Sequence, residues 1–254
     1  MNAPMFVYAY KAAGRLDQGR MRTSNQDRLI LDDTHGFYGV SDGMGGLRFG
    51  GDAAEYVASS VPSLLELCAK EAAGTAPPEE AARQLGQMVC LLSDQLYRTG
   101  NGSGRFDYGA TLAGVWLYRD RAVFVALGDS RGYLLRPDST EMTQVTQDMN
   151  VAGLMVRNGQ MTKEEAKDSP ASSRLTAFVG MEEPASPDTF IMEIGSGDKI
   201  LLCSDGLYGM VPESEIVSIL RSSKDEAEAC EKLMEAANRH GGRDNISAVL
   251  ITVE

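Results

Sequence analysis

The sequence predicts an α+β protein in which antiparallel sheets carry helices on their outer faces. Three observations lead there. Apolar residues alternate or cluster in short runs, bounded by glycine, proline or aspartate, at 6–14, 27–43, 108–138, 188–203 and 245–254, which is the pattern of strands. They recur at helical spacing between Gly50 and Leu96 and again over 212–239. The connections inside 108–138 are too short to hold a crossover helix, so the strands there run antiparallel.

"FVYAYKAAG" (6–14) is an aromatic and β-branched run suited to a strand, and "DRLILDDTHGFYGVSDG" (27–43) reads as two strands around "DDTHG". Past Gly50 the period changes. Ala53, Val57, Val61, Leu64, Leu65 and Cys68 fall on one helical face, and Leu85, Met88, Val89, Leu92 and Leu96 form a second stripe. Between them "AGTAPPEE" (73–80) is a turn whose prolines end one helix and whose acids open the next. "NGSGR" (101–105) is a loop. "YGATLAGVWLYRDRAVFVALGDSRGYLLRPD" (108–138) holds three strands, the first two joined by a hairpin at Arg119 and Asp120 and the last two by "GDSR". Residues 147–175 offer one or two short helices with little apolar patterning, as expected of a surface flap. Strands return at 188–194 and 198–203. Helices follow at 212–220 and 225–239, the latter with Ala227, Cys230, Leu233, Met234 and Ala237 on one face, and "NISAVLITVE" (245–254) closes as a strand. No internal repeat, low-complexity tract or linker divides the chain, so residues 1–254 are read as one domain with a flap subdomain at 147–175.

These elements belong to an acidic chain: 24 Lys and Arg against 36 Asp and Glu give a formal charge of −12. That field repels a phosphate backbone and no basic cluster offsets it, so nucleic acid is not an expected partner. No apolar run approaches the roughly 20 residues of a membrane span. The opening "MNAPMFVYAYKAAGR" lacks a basic leader followed by an apolar core, which leaves a cytoplasmic protein without membrane contact as the expectation. Cys68, Cys90, Cys203 and Cys230 are scattered, with no CxxC pair, and read as reduced thiols. Core packing accounts for the apolar helix faces, and a monomer is expected.

Three acids share one local setting. Asp42 follows "FYGVS", Asp205 follows "KILLCS" and Asp244 precedes "NISAVLITV", each at a strand end beside glycine. A single glycine-flanked aspartate is ordinarily a turn residue. Several at the margins of apolar strands, joined by Asp27 after "RTSNQ" and Asp129 in "GDSR", point elsewhere: if the fold gathers them, their mutual repulsion calls for cations. Hard oxygen ligands without histidine or thiol favour Mg2+ or Mn2+, and paired ions about 3.5–4 Å apart suit metal-assisted phosphate hydrolysis. His35 and His240 fit turn and helix-end roles. No GxSxG, HExxH or GxxxxGK[ST] element supports an acyl hydrolase, a zinc protease or a nucleotide-binding loop.

Taken as an ordered set, "RTSNQD" (22–27), "SDGMGG" (41–46), "YGATL" (108–112), "ALGDSRGY" (126–133), "LLCSDGL" (201–207) and "GGRDNIS" (241–247) resemble the signature series of metal-dependent protein serine/threonine phosphatases of the PP2C family, in its bacterial form. The resemblance spans about residues 10–252. It implies a four-layer α-β-β-α sandwich, two antiparallel sheets flanked by helix pairs, with the metal centre at one end of the sheets. Asp42 then corresponds to the carboxylate bridging two Mn2+ or Mg2+ ions, with the Gly43 carbonyl on one of them and Asp205 and Asp244 on the other. Asp129, with Asp205, resembles the holder of a weaker third ion. Asp27 stands behind the ligands, and Arg22 resembles the phosphate-binding arginine, whose donor fork suits two phosphoryl oxygens. The reaction implied is hydrolysis of phosphoserine and phosphothreonine in proteins by direct attack of a metal-bridging hydroxide, reversing a cognate serine/threonine kinase.

Two positions depart from the family pattern. Gln26 stands where a glutamate usually precedes the aspartate, which removes a negative charge and weakens the hold expected on the second ion. Met44 stands where many eukaryotic members have histidine, so it cannot protonate the leaving group. The rival readings are a noncatalytic phosphoprotein-binding relative, which the presence of all five aspartates opposes, and a phosphatase with an aspartyl nucleophile, which lacks its DxDx[TV] element. A phosphatase dedicated to one regulator would use the same fold and ions.

Overall fold

The structure, a computed structural model, describes residues 6–44, 47–72, 76–101, 107–167 and 169–254. Among these described residues, ten strands form two antiparallel sheets. The first contains β1 (Tyr10–Asp17), β6 (Arg131–Leu135), β7 (Thr143–Gln144), β9 (Lys199–Cys203) and β10 (Ile246–Val253), in the order β1-β10-β9-β6-β7. The second contains β2 (Asp27–Asp32), β3 (Phe37–Asp42), β4 (Leu112–Tyr118), β5 (Arg121–Leu127) and β8 (Asp188–Glu193), in the order β2-β3-β4-β5-β8. Two helices, α1 (Gly50–Ala72) and α2 (Pro78–Leu96), cover the second sheet; α6 (Glu213–Ser222) and α7 (Glu226–Arg239) cover the first.

Period-two alternation decides which side chains face which layer. Along β5, Val123, Val125 and Leu127 point to α1 and α2, while Ala122 and Phe124 point to the other sheet. Along β10, Ile246, Ala248 and Leu250 face α6 and α7, and Val249, Ile251 and Val253 face between the sheets. The result is the expected α-β-β-α order, with three apolar layers each closed to water.

Two expectations are corrected by this topology. "GDSR" does not pair the second and third strands of 108–138: β5 lies in one sheet and β6 in the other, and Gly128 (φ 115°) turns the chain across the gap. The first strand runs over Tyr10–Asp17 rather than 6–14, because β10 extends far enough to pair Leu16 and Asp17 with Ser247 and Ile246. The loop at 102–105 and the 73–75 part of the turn before α2 lie outside the described residues.

The 147–175 segment leaves and rejoins the sandwich at one point. Thr176 N donates to Met149 O at 2.8 Å and Val151 N to Arg174 O at 2.9 Å. Between them are α3 (Val151–Arg157), α4 (Lys163–Lys167) and a 3-10 turn at Pro170–Ser173, with Ala152 the one buried side chain that α3 contributes and none from α4. His35 is less exposed than a solvated turn residue: its Nδ1 lies 2.6 Å from Asp32 Oδ2.

Candidate metal centre

Strand pairing assembles the site. Asp27 opens β2 and Asp42 closes β3, and the register sets them directly opposite each other. Asp42 is held by its backbone: its N–H donates to Thr111 Oγ1 at 3.0 Å and its carbonyl accepts from Thr111 N at 2.8 Å. In the other sheet Asp205 follows β9 and begins α5 (Asp205–Tyr208), and Asp244 lies two residues before β10, the strand that pairs with β9. Ser204 joins the two sheets here: its Oγ donates to Asp27 Oδ2 at 2.8 Å and accepts from Ser247 N at 3.0 Å. Asp129 sits on the crossing between β5 and β6, where its Oδ2 accepts from Asn150 Nδ2 at 3.0 Å and its carbonyl accepts from Tyr208 Oη at 2.9 Å.

Asn245, buried beside Asp244, ties this end together. Its Oδ1 accepts from Gln26 N at 2.9 Å, and its Nδ2 donates to the carbonyls of Gln18 and Ser24 at 2.9 and 2.8 Å. Arg22 and Asp244 form an ion pair, Nη2 to Oδ2, at 2.6 Å. Gly43 fills a space no side chain could share, since a Cβ there would lie 2.3 Å from Gly50 O. Gln26 turns its side chain along Gly50 and Gly51 at the start of α1.

The electrostatics register the gathering of the acids. Desolvation, followed by the charges of Asp27, Asp205, Asp129 and Asp244, pushes Asp42 well above the usual carboxylate range. Asp205 is pushed up to about 8 by desolvation first, then by Asp129, Asp244 and Asp27, against a lowering by Arg22. Desolvation raises Asp27 to about 6 despite the Ser204 hydrogen bond, and raises Asp129 to about 6 despite its bond from Asn150. Asp42 thus feels the charges of Asp27, Asp129, Asp205 and Asp244, and Asp205 feels that of Arg22.

Among the described residues, no three acidic, histidine or cysteine side chains are arranged to hold one ion between them. Carboxylates spread around a shared space suit cations that keep much of their water, as Mg2+ does. Asp27 Oδ1 and Asp205 Oδ1 are buried without a hydrogen-bond partner, as oxygens awaiting a cation would be. The donor set is all oxygen. The residues present fit hard divalent ions.

An α-β-β-α sandwich with an oxygen-lined acidic end defines a class, and comparison with known proteins gives it a family. The protein phosphatase 2C profile matches residues 19–250. The chain belongs to the protein phosphatase 2C family and is a serine/threonine phosphatase of that type. It is 33% identical over 241 residues to the serine/threonine phosphatase stp of Listeria innocua, covering 93% of each chain. Its fold matches Staphylococcus aureus serine/threonine phosphatase Stp1 with a TM-score of 0.87 at 26% identity, over 100% of this chain and 98% of the other. It also matches the catalytic domain of the phosphatase PstP, solved in complex with two manganese ions, with a TM-score of 0.76 at 29% identity over 96% and 98% of the chains.

Two consequences concern supporting residues. A Cβ on Gly206 would lie 1.9 Å from Asn245 O, so Gly206→Ala must push Asp205 away from Asp244. The expected cost is about 1–3 kcal/mol in denaturant titration, with a fall in phosphopeptide turnover. Asn150→Ala removes both the donor to Asp129 and the side-chain cap that accepts from Gly153 N. Loss of about 1–2 kcal/mol and faster limited proteolysis within 147–175 are expected. Ser204, Asn245 and Asn150 were not singled out from the sequence, although the first two lie inside motifs that were.

Proposed function

We propose that the chain hydrolyses phosphoserine and phosphothreonine monoesters on proteins by direct in-line attack of water, using two Mn2+ or Mg2+ ions and a weaker third. The observation that carries this reading is the convergence of five aspartates from both sheets, two of them with a buried unpartnered oxygen. In this reading Asp42, the Gly43 carbonyl, Asp205 and Asp244 would hold the paired ions, and Asp129 with Asp205 would hold the third. Bound ions would supply positive charge to acidify water and to neutralise phosphoryl oxygens.

The remaining work falls to the chain itself. Asp27, fixed by Ser204, keeps the Asp42 side of the hairpin in register. Arg22 exchanges its bond to Asp244 for two phosphoryl oxygens and so sets the ester for attack, with its planar fork defining the orientation. No side chain accepts the phosphoryl group. We take residues 1–254 as one phosphatase domain with 147–175 as its flap, acting as a monomer in the cytoplasm against the products of a serine/threonine kinase. No described helix is long and apolar enough to cross a membrane.

The test is turnover of a phosphothreonine peptide by protein dialysed against chelator, before and after adding Mn2+. A fall of at least about a thousandfold, reversed by the metal, is expected, and hydrolysis in 18O-water should label inorganic phosphate in a single turnover. Undiminished turnover after chelation, or a phosphorylated aspartate trapped from the reaction, would falsify the mechanism.

A further inference from the structure

The arginines of this acidic chain divide into two groups. Apart from Arg20, Arg48, Arg174 and Arg243, every arginine among the described residues is paired with a carboxylate or donates to a carbonyl. These four have no such partner among the described residues, although acids outnumber bases, 36 to 24, and all four are exposed. They are also not scattered. Arg20 lies two residues from Arg22, Arg243 adjoins Asp244, Arg48 stands between Asp42 and α1 in sequence, and the carbonyl of Arg174 accepts from Val151 N at the start of α3.

Arg20 and Arg243 are the pair the backbone fixes. Arg20 N and Met21 N both donate to Gly242 O, at 2.7 and 3.2 Å, which joins the loop carrying Arg22 to the loop carrying Asp244. The turn between them needs left-handed backbone at Gly241 (φ 123°) and Gly242 (φ 52°). A Cβ on Gly242 would lie 2.9 Å from Arg20 Cγ, and one on Gly241 3.8 Å from Arg243 Cγ, so the two stems flank one turn. Met21, 72% exposed, stands between Arg20 and Arg22.

We infer that Arg20 and Arg243 form a docking surface for acidic residues next to the phosphorylated serine or threonine of the substrate protein. The inference rests on the hydrolytic reading above and names the substrate class. A guanidinium left free of its own chain's carboxylates keeps its donor fork for another's. The rest of the molecule repels an acidic segment, so these guanidinium groups also orient its approach toward Arg22. Met21, exposed next to Arg20, offers an apolar contact on the same loop.

The experiment compares two phosphothreonine peptides, one flanked by aspartate and glutamate and one by alanine and serine, with para-nitrophenyl phosphate as a substrate that has no flanks. The wild-type protein is expected to show kcat/KM about tenfold higher for the acidic peptide, carried by KM, with the ratio falling toward one in high salt. Arg20→Ala/Arg243→Ala should bring the ratio to about one with kcat unchanged, and Arg20→Glu/Arg243→Glu should invert it. Hydrolysis of para-nitrophenyl phosphate should change less than twofold in both. Binding of the same peptides, read by fluorescence anisotropy, supplies a measurement independent of turnover. If nothing is hydrolysed yet the acidic peptide still binds tighter through these two arginines, the hydrolytic reading fails and the surface stands. Equal wild-type kcat/KM for the two peptides, or a preference that survives both double variants, overturns it.

Discussion

Replacing Asp42 by asparagine is expected to lower phosphopeptide turnover about a thousandfold while raising the melting temperature of the metal-free protein. The two effects share a cause. Asp42 is anchored by its backbone, through reciprocal bonds with Thr111, so an isosteric amide leaves the β3 end and its register with Asp27 in place. What the substitution removes is a carboxylate crowded by Asp27, Asp205, Asp129 and Asp244. In the absence of cations that charge is a liability to the fold; in the mechanism proposed above it would be a ligand to the bound ions. Parallel thermal melts in chelator and phosphopeptide assays in Mn2+ check the pair of results. A variant that melts lower and hydrolyses little would merely be misfolded. One that melts higher and retains full turnover would remove Asp42 from the centre.

The helices and most strands could be read from the sequence because each is buried on one side, and one-sided burial leaves a period. Leu85, Met88, Val89, Leu92 and Leu96 form a stripe since α2 meets only one sheet, and all five are buried. The acids stood out for a related reason: a charge placed where an apolar strand meets glycine conflicts with its surroundings unless something compensates it. Three kinds of feature were not legible. "GDSR" encodes a tight change of direction, but nothing local in it states which sheet receives the next strand. The limits of β1 are set by a partner strand more than two hundred residues away. Ser204 reaches Asp27 across 177 positions, and a serine following an apolar strand carries no mark of that bond. Nor does the spacing of the arginines show which ones find partners, since Arg28 meets Glu55 and Arg136 meets Asp198 only after folding.

Stability of the metal-free protein is expected to fall as pH rises from about 5 to about 8, and Mn2+ should abolish that trend. Asp27 and Asp129 are raised to about 6 and Asp205 to about 8 in the folded chain, against 3.8 for the free side chain. Between those limits the folded state binds more protons than the unfolded state, so unfolding is favoured as protons are withdrawn. The destabilisation is absent below about pH 4 and complete above about pH 8, on the order of several kcal/mol across the cluster. Glu80, Glu165, Glu215 and Glu228 are shifted the opposite way, which adds stability above their free value of 4.5, but they lie at the surface, where water screens them, and their contribution is in place by pH 5 to 6. The window from about pH 5.5 to 8 therefore isolates the buried aspartates. A divalent ion binds their ionised form, so the increment in melting temperature on adding Mn2+ should be larger at pH 8 than at pH 5.5. Differential scanning calorimetry at the two pH values, with and without metal, measures both slopes, and Asp205→Asn should flatten the metal-free one. A metal-free melting temperature that stays level or climbs across this window would mean that the five carboxylates do not share one space.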